Sequence, residues 1–195
     1  MAAMDAMSRR DKYGGHLNVI EKYRQERKLV SLKRDSVDDQ KIQGFVLGTS
    51  EKLVLLQYVF DFYLDGLMVL RTEDISEIVR TKTDSFQQSL MEHEDLLAGI
   101  PFENHIDLTS WRTAIVGLQK RSPLFILECE LLESPSFSLG KVVRVDGRAV
   151  AVQTFDGCGK WAADPLVLQC DEITSCQVNT NYARAYERYF ERSAL

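Results

Sequence analysis

Cys158 is the side chain best placed by type and spacing to act as a nucleophile. It stands between glycines in Gly157-Cys-Gly159-Lys160, where an exposed turn and a nearby ammonium would favour the thiolate. Covalent chemistry also needs a positioned base, and the stretch offers none. It is the chain's nearest approach to a phosphate loop as well, yet no helix start follows it to aim backbone N–H groups at a phosphate, so it reads as a long hairpin turn. Carboxylates are grouped at Glu73-Asp74 with Glu77, at Glu92-His93-Glu94-Asp95 and at Asp171-Glu172. General acid and base roles require burial to drive two pKa values apart. The first and third groups recur at equivalent predicted strand ends, which points instead to a shared turn role such as accepting backbone N–H bonds.

Metal chemistry finds no better footing. Cys129, Cys158, Cys170 and Cys176 form no C-x-x-C pair, and His16, His93 and His105 add no supporting spacing to a site built on Cys158, Cys170 and Cys176. G-x-x-x-x-G-K-[ST], G-x-G-x-x-G at a strand–helix junction, H-E-x-x-H and G-x-S-x-G are absent. The reading is therefore of no catalytic residue, no cofactor, no metal, and thiols that stay reduced.

The elements that carry these residues are organised around residues 41–79. Val, Ile and Leu runs at 45–47, 53–59 and 67–70, with turn residues at Gly48-Thr-Ser and Asp65-Gly66, predict a tight antiparallel meander. Residues 140–178 repeat the pattern. At an offset of 96, Gly44 falls on Gly140 and Leu53-Val-Leu-Leu-Gln57 on Ala149-Val-Ala-Val-Gln153; at 98, Asp74-Ile-Ser76 falls on Glu172-Ile-Thr174. The longer loop at 156–165 accounts for the slip of two. Opening strands at 28–32 and 124–128 complete five strands per copy, an internal repeat.

The helical segments frame this plan. A capping box at Asp84 and Gln87 opens a helix with Phe86, Leu90 and Leu97 on one face; a second begins near Thr109 with Trp111, Ala114, Ile115 and Leu118 as its buried stripe. The C-terminal helix carries Tyr182, Tyr186, Tyr189 and Phe190 as an aromatic stripe that docks on the second copy. The predicted organisation is a basic arm with a short helix at 1–26, small β-barrels at 27–80 and 122–178, a helical linker at 81–121 in which Trp111 braces the barrels, and a helix at 179–195.

Composition bounds the function classes. With 195 residues, 45% hydrophobic and 27% charged, the chain suits one large or two small globular domains. No apolar run reaches membrane-spanning length and the N-terminus lacks a secretory core, so a cytoplasmic protein with no membrane partner is expected. Net charge is −5, although residues 1–36 hold nine Lys/Arg against five Asp/Glu, a local +4 that reads as a solvated helix face.

Five-stranded units of this size, each with a glycine in its second strand (Gly44, Gly140) and a short last strand after an acidic-Ile-[ST] turn, resemble the Sm-like and SH3-like small barrels. The texture of the chain also resembles that of bacterial proteins. The resemblance implies a mainly β fold with helices, two antiparallel five-stranded barrels, and a binding module for RNA, peptides or sister subunits rather than an enzyme. The expected function is a non-enzymatic binding or scaffold protein that engages a protein or peptide partner through barrel edges or grooves. The alternative is an Sm-like RNA-binding protein using the basic arm.

Overall fold

The structure is a computed structural model that describes residues 16–193. A helix over residues 16–25 (α1) leads into β1 (Leu29–Lys33), β2 (Lys41–Thr49), β3 (Leu53–Phe60), β4 (Tyr63–Arg71) and the short β5 (Glu77–Val79). Two helices follow, α2 (Lys82–His93) and α3 (Trp111–Leu118), and then β6 (Phe125–Cys129), β7 (Ser136–Val145), β8 (Ala149–Thr154), β9 (Leu166–Gln169), β10 (Ser175–Val178) and α4 (Asn181–Ser193). The fold is mixed α and β.

All ten strands of the described residues join one antiparallel sheet in the order β5-β1-β2-β3-β4-β10-β6-β7-β8-β9. The expected pair of separate barrels is not confirmed: the strands form a single sheet, not closed into a barrel. Its physical cause is the seam at the middle, where β4 and β10 lie side by side from Leu67↔Val178 to Leu70↔Ser175 and satisfy each other's backbone groups.

The halves share their strand order, the fifth strand lying outside the first in each. Their ladders correspond rung for rung. Gly44↔Tyr58, Phe45↔Gln57 and Val46↔Leu56 are followed by a bulge and Gly48↔Leu55; Gly140↔Thr154, Lys141↔Gln153 and Val142↔Val152 are followed by a bulge and Arg144↔Ala151. Both glycines meet the same constraint, since a Cβ would stand 2.6 Å from the Gln57 carbonyl oxygen at Gly44 and 2.2 Å from that of Gln153 at Gly140.

The helices follow the same logic, one before and one after the five strands of each half. Ile20 of α1 packs with Val30, Leu32, Val54, Leu56 and Ile78 of the first half. Ile115 of α3 packs with Phe125, Leu127, Val150, Val152 and Cys176, their counterparts in the second. The opposite face of β1 meets α2, whose Gln88 accepts from the Leu29 N–H at 3.0 Å and whose Asp84 accepts from Ser31 Oγ at 2.6 Å. The opposite face of β6, with Ile126 and the preceding Leu124, meets Ala183 of α4. Trp111, buried to 8% exposure, lies in a core that draws on both halves and includes Leu53, Leu55, Phe125 and Leu168.

Two local assignments differ from the sequence reading. The β3–β4 hairpin turns at Asp61-Phe62, whose φ of 44° and 69° are those of a primed two-residue turn, while Gly66 lies inside β4. The capping box of α2 is Thr81 with Asp84, one turn before the predicted Asp84 with Gln87. Burial alone would raise the Asp84 carboxyl, but bonds from Ser31, from the Thr81 N–H and hydroxyl and from Gln43 outweigh it and hold its pKa down to about 2.

Candidate binding surfaces

The structure separates the residues that could have formed a reactive site. Cys158 is exposed in a loop folded about Asp156, whose Oδ1 accepts from the Cys158 and Lys160 N–H groups at 2.9 and 3.0 Å. Those two bonds, Lys160 first, lower the Asp156 pKa. The loop is a stapled turn, and among the described residues no hydrogen bond reaches the Cys158 sulfur. Cys129 and Cys176 are buried and Cys170 half-buried, none in a disulfide. Burial pushes the Cys176 thiol far above the ordinary range. An aromatic disulfide reagent should therefore titrate one thiol rapidly in the native protein, Cys158, and four after denaturation; two or more fast thiols would contradict this packing.

The acidic groups also part company. Asp74 is buried and takes a two-pronged bond from Arg71, at 2.6 Å from Nε and 2.8 Å from Nη2. In the second half Arg71 has Gln169 as its counterpart, and Asp171 offers Arg71 only a backbone carbonyl, at 3.4 Å. The expected common role of accepting backbone N–H bonds does not hold. Glu92 accepts from Gln88 on α2 at 2.8 Å. Among the described residues, no group of three or more His, Cys, Asp or Glu is placed to hold a metal ion.

Charge is consumed locally. In the basic segment, Arg24 pairs with Glu21 at 2.7 Å and Arg34 reaches across the seam to Glu130 at 2.8 Å; residues 1–15 lie outside the described residues. A cleft of about 410 Å³ opens beside Trp111 where turns of both halves converge. Lys52, Arg71 and Arg112 line it, but so do Glu51, Glu73 and Asp171, so it presents no net positive field for a phosphate backbone.

What remains open is backbone and apolar surface. Among the described residues β5 and β9 are the free edges of the sheet, and on β9 Leu166 is 41% and Val167 48% exposed. A groove of about 360 Å³ runs from Leu166 between the sheet and α4, walled by Phe137, Phe155, Tyr182 and Tyr186. The aromatic stripe of α4 divides here. Tyr186 and Phe190 dock on Phe155 with centroids 4.9 Å away, and Phe190 stacks on Trp161 at 4.7 Å, whereas Tyr182 and Tyr189 stay about half exposed. Sequence reasoning missed Phe155 and Trp161 as the docking platform. The available signal was their placement on either side of the glycine turn, where they form a bridge.

The class defined by these observations is a mixed α and β protein whose described residues form an open ten-stranded antiparallel sheet with two free edges. Among the described residues, no helix is long and apolar enough to cross a membrane. Comparison with known proteins finds no family model, no curated protein and no solved structure that matches the chain.

Proposed function

We propose that this is a non-enzymatic binding and scaffold protein that extends its own sheet by strand addition, β9 receiving the β5 edge of a second copy. The halves are then two copies of one small-barrel unit of the Sm-like or SH3-like kind, each with a helix before and after its five strands. The observation that carries the reading is the seam itself. It joins β4, the fourth strand of one half, to β10, the fifth strand of the other. Their counterparts, β9 and β5, are the two strands left at the edges. Carrying the seam register over sets Glu77 opposite Leu168, Ile78 opposite Val167 and Val79 opposite Leu166. Unpaired N–H and C=O groups on an edge strand favour an added strand, and the exposed Leu166 and Val167 would lose water-facing apolar area on pairing.

RNA binding has less behind it, given a net charge of −5 and the balanced charges beside Trp111. The test is native mass spectrometry with light scattering across a concentration series. Concentration-dependent oligomers are expected, and Val167→Lys, at an exposed position, should return the chain to monomer without changing its melting temperature. A wild-type monomer at high micromolar concentration, or oligomers indifferent to the lysine, would overturn the reading; a salt-sensitive gel shift with mixed RNA would favour the alternative.

A further inference from the structure

A second cleft, of about 480 Å³, lies on the seam and is independent of the sheet edges. Arg121, just beyond α3, and Arg184, on the first turn of α4, both line it. Leu64 and Leu67 of β4 give it an apolar side, and Gln57 and Asn179 complete the polar wall. No carboxylate lines it. Asp65, the chain neighbour of Gly66, has its Oδ1 engaged by the Asn181 N–H at 2.6 Å.

Three observations converge on one ligand chemistry. Neither Arg121 nor Arg184 has an ion-pair partner among the described residues, whereas Arg24, Arg27, Arg34 and Arg71 all do. The Nε of Arg184 is buried with no acceptor among those residues, and a buried charged donor left unmatched is costly. The amides beside the arginines are already engaged: Gln57 donates to the Gly66 carbonyl at 2.8 Å and Asn179 to that of Arg121 at 3.2 Å. The guanidinium groups are therefore the uncommitted donors of the cleft, and their planar forks match an oxyanion.

We infer that this cleft binds a small organic anion, its phosphoryl or carboxylate head held by Arg121 and Arg184 and its apolar body against Leu64 and Leu67. The ligand touches β4 of one half and the segment after β10 of the other, so it ties the seam together. Isothermal titration calorimetry of the full chain with phenyl phosphate and with benzoate, against sodium chloride of equal ionic strength, tests the assignment and separates the two head groups. Saturable binding of at least one probe is expected, weakened about tenfold or more by Arg184→Gln and by Arg121→Gln and unchanged by Arg144→Gln, an exposed arginine outside the cleft. Heat no larger than the chloride control for both probes overturns it. So does binding that survives Arg121→Gln, a substitution at an exposed position that leaves the core untouched and keeps the test decisive if the Arg184 variant misfolds.

Discussion

Trp111→Ala should cost roughly 3 to 5 kcal/mol of folding stability, the range for removing a large aromatic from a packed interior. Trp111 is 8% exposed and shares its core with Leu53 and Leu55 of the first half and with Phe125, Val150 and Leu168 of the second. Alanine leaves a hole that neither half can fill alone, because each is held by its own ladder. A domain of this size has stability of about 5 to 15 kcal/mol and loses roughly 2 to 4 °C of Tm per kcal/mol, so the melting curve should move down by many degrees. Thermal denaturation followed by circular dichroism reads this directly. A variant that melts with its parent would place Trp111 outside the shared core.

The meanders and their correspondence were legible because a half-buried sheet writes its pattern into the chain. Val, Ile and Leu runs, a glycine forced by a close carbonyl at Gly44 and Gly140, and the longer loop at 156–165 all survive as readable features. The seam was not legible. Leu67–Leu70 reads as one more apolar strand, and nothing in its composition states whether its second neighbour is solvent, its own β5 or a strand more than a hundred residues later. Pairing partners at that separation are set by which edges remain unsatisfied after the local ladders form, a property of the assembled halves.

Turn chemistry misled for a related reason. Asp65-Gly66 has the composition of a hairpin turn, but the register of β3 and β4 closes at Phe60↔Tyr63 and places Asp61-Phe62 in the left-handed region, where an aromatic is uncommon. The glycine was needed elsewhere. As for function, the groups with chemical potential are dispersed: Cys158 in a stapled turn, Asp74 locked to Arg71, Asp84 on α2 bound to Ser31 of β1. The two arginines of the seam cleft stand 63 residues apart in sequence, one just beyond α3 and one on α4, and meet only at the cleft they both line.

Gly66→Val should be among the most damaging single substitutions in β4, because two independent constraints meet at this buried position. Gly66 has φ of +80°, a region that costs a side-chain-bearing residue roughly 1 to 2 kcal/mol, and more when β-branched. A Cβ at this position would also lie 2.2 Å from the Val178 carbonyl oxygen and 2.6 Å from the Asn179 carbonyl carbon, backbone atoms that cannot rotate aside. The clash falls at the end of the β4–β10 pairing, so relief requires the halves to separate at the seam. A loss of roughly 3 kcal/mol or more is expected, with hydrogen-exchange protection falling first at the amides of residues 175–178 while the β1–β2 ladder of the first half stays protected. Gly147→Val supplies the comparison, since a Cβ there meets nothing within 4 Å and should leave the melt unchanged. Equal melting of the two variants, or uniform loss of protection over both halves, would show that the seam is not what Gly66 maintains.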